Sequence, residues 1–200
     1  MRLILALTIC CGLALSGFAQ SDDSRTKQVD ALLKKVKQID ILNRILPLLM
    51  TKEQIRKVLP AVEKARARVK EAQNKEFESL KKFEARLDAA NKKAIESGVL
   101  PGRDLVSEIM KMFVEHGIQR QLIASENTEA VVKALKETLN EGQIKAAVND
   151  LNPALFDPSL KPEKMTADDK LRFFVREIFL DPAAYDVLVL LSKTGTPSPP

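Results

Sequence analysis

The stretch 50–98 limits the possible folds of this chain more than any other. It opens Met50-Thr51-Lys52-Glu53-Gln54-Ile55 and holds no glycine before Gly98. Thr51 fits the N-cap of a helix. Its hydroxyl can accept from the N–H of Gln54, while the Gln54 side chain returns to the N–H of Thr51, the reciprocal capping box. Met50 and Ile55 then form a hydrophobic staple across the cap. Gly98 and Pro101 mark the stop. Between these ends Val58, Val62, Ala65, Val69, Ala72, Leu80, Phe83, Leu87, Ala90 and Ala94 recur at helical spacing, with one slip at Phe77. A helix over 52–97 has 46 residues. At about 1.5 Å per residue it is roughly 69 Å long, too long for the core of a small globule. The expected fold is therefore all-α, an extended helical hairpin with one long helix that pairs with other helices or with a second copy of the chain. Pro60 removes one backbone hydrogen bond inside that helix. A kink near 56–60 is expected rather than a break, because the apolar stripe keeps phase across it.

The flanking segments read as shorter helices. Over 27–46, Val29, Leu32, Leu33, Val36, Ile39, Leu42, Ile45 and Leu46 form one apolar face. A third helix is expected over 104–124, with Leu105, Val106, Ile109, Met112, Phe113 and Leu122 inward and Gly117 weakening its end. A fourth follows over 129–139, capped by Asn127 or Thr128, and then a short one to Val148. Residues 151–163 hold three prolines and read as an irregular connection. Thr166 caps a helix that turns Leu171, Phe174, Val175, Ile178 and Phe179 inward. Asp181-Pro182 starts a last helix, to about Ser192. Residues 20–26 and 194–200 read as disordered, and no stretch reads as a strand.

The first residues look like an export signal. Arg2 precedes an apolar run from Leu3 to Leu15, and Gly17-Phe18-Ala19 offers a cleavage site before Gln20. The run is short for a membrane span. A signal peptide over 1–19 predicts a periplasmic or secreted protein. Cys10 and Cys11 would leave with it, so the mature chain would carry no disulfide, thiol nucleophile or thiolate metal site. Charge is uneven: residues 25–75 carry 14 Lys and Arg against 5 acids, and residues 76–200 carry 17 against 20. A basic exported surface favours acidic or partly unfolded protein chains, anionic lipid or envelope polymers. No aromatic lies among these bases, and export further disfavours nucleic acid. Lys57, Lys64, Arg66, Arg68 and Lys70 are the candidate client-binding residues, weighed against a plain solvated helix face.

The opening motif occurs twice. Leu139-Asn140-Glu141-Gly142-Gln143-Ile144 repeats it, with Asn140 as N-cap, Gln143 as the reciprocal partner, and Leu139 and Ile144 as the staple. An exported, basic, helical chain with two such L-T-x-x-Q elements resembles the Spy/CpxP family of periplasmic proteins. Each motif departs at one position, Met50 for Leu and Asn140 for Thr, and both changes keep the capping chemistry. The resemblance covers 27–150. Residues 151–193 form a C-terminal helical extension with no counterpart. The resemblance implies a helical hairpin that dimerises into a curved cradle, with envelope-stress roles that include ATP-independent chaperoning. Met50, Thr51, Gln54, Leu139, Asn140 and Gln143 are then structural residues that fix helix ends.

Catalytic chemistry has little support. His116 is the one histidine and Tyr185 the one tyrosine, so an ordinary hydrolytic triad is out of reach. No glycine-rich phosphate loop occurs. Asp168-Asp169 sits where acids favour a helix dipole. No cofactor is expected. Met112 and His116 could share a helix face and Met110 could not, and such a pair falls short of a metal site. Three readings remain. The first, favoured by charge and length, is an exported chaperone-like binder of unfolded proteins. The second is a structural or regulatory helical protein with one envelope partner. The third, weakest, is a metal sensor.

Overall fold

The computed structural model describes residues 23–194 and 196. The expected signal peptide, residues 20–22 and the last residues of the expected tail lie outside the described residues. The fold is all-α. Among the described residues there are seven α-helices and no strand. They are α1 (Asp23–Ile45), α2 (Lys52–Lys81), α3 (Glu84–Ser97), α4 (Arg103–Thr138), α5 (Glu141–Asp150), α6 (Ala167–Phe174) and α7 (Ala184–Thr194). A 3₁₀ turn, Leu46–Leu48, ends α1, and two more, Pro153–Leu155 and Pro162–Lys164, lie in the proline-rich connection. A π turn, Val175–Phe179, prolongs α6, closed by the Leu180 N–H on the Val175 carbonyl at 3.0 Å.

The chain divides into two compact units, up to Val36 and from Lys37 onward. In the first, α1 already runs from Asp23, so 23–26 is helical where disorder was expected. Val29, Leu32, Leu33 and Val36 stay 48–64% exposed there, which corrects the expected buried face. In the second unit α1 is anchored by Ile41 and Ile45, a fully buried i,i+4 pair, while Ile39 is exposed. In this unit the buried face of α1 is set by the residues that meet the core.

Helices α2 and α4 run antiparallel. As the first partner advances from Ala65 through Arg68 and Glu76 to Arg86, the second retreats from Asn127 through Glu126 and Arg120 to Glu108. Helix α2 begins at the expected cap and passes through the exposed Pro60 unbroken. The expected single helix over 52–97 divides instead at Lys82 and Phe83. Both keep right-handed dihedrals, but the Phe83 N–H bonds the Leu80 carbonyl at 2.9 Å, a tighter i→i−3 turn. The apolar stripe had slipped a few residues earlier, at Phe77, and beyond the break Phe83, Ala90 and Ala94 are half-buried on the same face.

The expected third and fourth helices are one helix, α4. Asn127 and Thr128 do not cap because their side chains are engaged elsewhere. Asn127 Nδ2 donates to the Ala65 carbonyl on α2 at 3.2 Å, and Thr128 Oγ1 donates back to the Ala124 carbonyl at 2.8 Å. Of the six residues expected inward over 104–124 only Met112 is buried. Leu105 and Ile109 are half-buried, and Val106, Phe113 and Leu122 are exposed, because α2 covers a single narrow line of α4.

One core occupies the other end of the hairpin. Ile41, Ile45, Leu48, Ile55 and Val58 meet Val131 and Leu135 of α4. Leu171, Phe174, Ile178, Phe179 and Leu188 complete it, all within 1% of full burial. The segment 151–193, expected as an extension, therefore supplies the largest side chains of that core. Helix α7 includes Thr194, and Thr196 donates from N and Oγ1 to the Met50 carbonyl at 3.2 and 3.0 Å. Thr194 is helical and Thr196 is held by those two bonds, where a disordered tail was expected.

Candidate functional site

Both repeated motifs form capping boxes. Thr51 Oγ1 accepts from the Gln54 N–H at 3.2 Å and Gln54 Oε1 accepts from the Thr51 N–H at 2.9 Å. Asn140 Oδ1 and Gln143 Oε1 do the same at 2.9 and 3.0 Å. The antiparallel hairpin then brings the two boxes face to face. Gln54 Nε2 donates to Gln143 Oε1 at 3.0 Å and Gln143 Nε2 donates to Gln54 Oε1 at 3.1 Å. The second hydrogen of each amide goes to backbone. Gln54 donates to the Thr138 carbonyl at 3.1 Å, and Gln143 to the Leu48 carbonyl at 2.9 Å. Every donor and acceptor position of both side chains is filled. Met50 and Leu139 are buried on the apolar side of this clasp.

A third capping box clarifies the chemistry. Thr166 and Asp169 cap α6 in the same way, with Asp169 Oδ2 accepting from the Thr166 N–H at 3.0 Å and from its hydroxyl at 2.6 Å. Those bonds hold the Asp169 carboxyl below its usual range. A carboxylate can cap but has no N–H to donate, so this box makes no cross-pair. Glutamine at the third helical position is what allows a cap to become a clasp. Sequence reasoning treated the two motifs as separate helix ends. The signal that points to their pairing is that both carry Gln where Glu would cap equally well.

The five basic candidates do not form one patch. At about 100° per residue, Lys57, Lys64 and Arg68 fall on one flank of the buried stripe of α2, and Arg66 and Lys70 on the other. Lys57 and Lys64 are exposed and meet no carboxylate among the described residues. Arg68 Nη1 reaches Glu126 across the hairpin at 3.4 Å. The Arg66 guanidinium lies 4.2 Å from the centre of the Tyr185 ring. Beside it a groove of about 750 Å³ opens between α2, α4, the π turn and α7.

Beyond this point the hairpin becomes an arm with little core. Between residues 66 and 126 Met112 is the one buried apolar side chain. Phe77, Ile95, Leu100, Met110, Val114 and Ile118 are 52–84% exposed. Exposed ion pairs tie the arm together. Arg86 takes Glu108 in a two-pronged contact at 2.6 and 3.0 Å, and Arg120 takes Glu76 at 2.7 Å. The Arg86 bond holds the Glu108 carboxyl below its usual range.

His116 is half-buried, and its Nε2 is enclosed without a hydrogen-bond partner. Met112, one turn away, is buried. Among the described residues no three His, Cys, Asp or Glu side chains converge on a metal-sized site. No described helix is long and apolar enough to cross a membrane. No protein-family model, curated protein or solved structure matches the chain.

Proposed function

We propose that this protein is an exported, ATP-independent binder of unfolded polypeptide. The observation that carries the reading is the arm. Thirteen large apolar side chains between Val69 and Leu122 are at least 40% exposed. They are interleaved with charge on a hairpin whose fold is secured elsewhere. So many large apolar side chains left uncovered on one hairpin support a surface of interaction. Basic groups on α2 would speed encounter with acidic segments, and apolar contact would prolong the complex. The Spy/CpxP resemblance supports the same reading, and so does the sequence pattern of an export signal. No catalytic group is needed. The twin motifs serve by fixing the base from which the arm projects.

A second copy of the chain would cover the same apolar stripe, so self-association and client binding compete in this account. The test is light scattering of an aggregating unfolded protein without ATP, at low and high salt. The wild type is expected to suppress aggregation, less so in high salt. A variant with Phe77, Phe113, Val114 and Ile118 changed to Ser is expected to lose the effect while keeping its helicity. Absence of suppression at several-fold molar excess would favour a helical protein dedicated to one envelope partner.

A further inference from the structure

We propose that the groove on the Arg66 flank of α2 is a peptide subsite for extended segments that pair an apolar side chain with a carboxylate. The inference rests on the reading of the protein as a polypeptide binder and names what one part of its surface selects.

The groove is built from four elements. Helix α2 supplies Arg66, Val69 and Lys70, α4 supplies Ala124 and Asn127, the π turn with its exit supplies Arg176, Leu180 and Pro182, and α7 supplies Tyr185. Its volume of about 750 Å³ is that of an ordinary ligand cleft. The walls are apolar, formed by the half-exposed Val69 with Leu180 and Pro182. The π turn has a structural part in this. Its i→i+5 bond inserts an extra residue before Leu180, and such turns recur where a helix must re-aim side chains.

Charge selects the occupant. The Arg66 guanidinium lies over the Tyr185 ring, a contact that leaves its charge in place. Arg66 and Lys70 meet no carboxylate among the described residues, whereas Arg68, Arg86, Arg120 and Arg172 each meet one across the fold. Arg176 is paired with its neighbour Glu177 at 2.8 Å, and Glu63 is the one acid on the lining. The rim therefore retains two unneutralised cations a turn apart, a spacing suited to a carboxylate. Asn127, 2% exposed, closes the floor, with its Nδ2 on the Ala65 carbonyl. A polypeptide carries apolar and acidic side chains together, so it can answer both the apolar walls and the charged rim.

The test uses the purified chain and a short fluorescein-labelled peptide alternating leucine and glutamate, read by anisotropy. The control peptide replaces glutamate with lysine. The acidic peptide is expected to bind at least about tenfold more tightly than the control, and to weaken as salt rises from about 50 to 300 mM. Arg66→Glu with Lys70→Glu is expected to reduce that binding about tenfold, while Lys161→Glu with Lys164→Glu, exposed in the proline-rich connection, changes it less than about twofold. Ala124→Phe fills the groove without altering charge, and is expected to weaken binding while leaving the preference for acid. Equal affinity for both peptides, or unchanged binding in both groove variants, overturns the inference. Aggregation suppression by the same proteins separates the two claims. Suppression by the wild type that the groove variants retain in full, with peptide binding also unchanged, removes the subsite and leaves the binder. Groove-dependent peptide binding without suppression keeps the subsite and removes the chaperone role.

Discussion

Helix α2 carries one apolar stripe that has two fates. At its start Ile55, Val58, Val62 and Ala65 are buried, and farther along Val69, Phe77 and Leu80 are 40–61% exposed. The periodicity does not change at Ala65. What changes is the opposing surface. Helix α2 packs on both α4 and α7; Arg66 meets Tyr185 of α7, and farther along Arg68 and Glu76 reach Glu126 and Arg120 of α4. A stripe about 100° wide needs two neighbours to be covered, and the arm supplies one. The base is therefore where stability resides, and the arm is where surface is offered.

Truncations should separate the two regions most clearly. Phe174→Ala, at a fully buried position, is expected to cost about 3–5 kcal/mol in urea unfolding. Phe113→Ala, at a site 47% exposed, is expected to change stability by less than about 0.5 kcal/mol while weakening aggregation suppression. Equal costs at the two positions would erase the distinction between base and arm.

The clasp ranks next. Gln54→Glu keeps the acceptor that caps α2 but removes the donor shared with Gln143 Oε1 and the Thr138 carbonyl. It is expected to cost about 1–3 kcal/mol. Thr51→Ala, which removes the cap alone, is expected to cost about 1 kcal/mol. A double-mutant cycle between Gln54→Ala and Gln143→Ala should give a coupling energy above about 0.5 kcal/mol. Strict additivity would reduce the clasp to two independent caps.

Acid should weaken both regions through different residues. The bond from Lys136 lowers the Asp168 carboxyl, the bonds from Thr166 lower Asp169, and the bond from Arg86 lowers Glu108. The unfolded chain, with ordinary carboxyls near about 4, takes up protons before the native one. Stability from these groups is present above that pH and is lost as pH falls through their lowered native values. Asp150 acts in the opposite sense, since burial raises its carboxyl despite the charge and hydrogen bond of Arg44. Circular dichroism from pH 7 to about 3 should show declining stability, with Asp168→Asn shrinking the decline in the base.

The smallest effect belongs to the exposed ties of the arm. Glu108→Gln loosens the Arg86 pair and is expected to leave the urea midpoint nearly unchanged, because both groups are in solvent. A larger loss would mean that the arm depends on its ion pairs more than on its backbone.

Local signals carried much of this fold. Thr51 and Asn140 each announce a helix start with a reciprocal partner three residues on, Thr166 announces one as a cap, and all three helices begin there. Gly98 ends α3 with a φ of +64°, the left-handed value that favours glycine. What stayed hidden depends on distant partners. Asn127 and Thr128 look like caps until Ala65 and Ala124 are found to take their donors. The line through Leu32 and Val36 looks like a core face as readily as the Ile41–Ile45 pair, and only the opposing surface decides between them. The basic candidates were legible as residue types, but their separation onto two flanks required helix phase and the position of Tyr185. The clasp was half legible: each box could be read locally, and their meeting needed the hairpin.

Native-state hydrogen exchange followed by mass spectrometry tests the central claim most directly. Peptides from α2 before Ala65, from α4 after Asn127 and from α6 should be protected close to the global unfolding free energy. Peptides from α3 and the first half of α4 should exchange much faster and slow when an unfolded client is added. Uniform protection of both regions in a monomeric sample, unchanged by client, would contradict the division into a stable base and a surface-presenting arm.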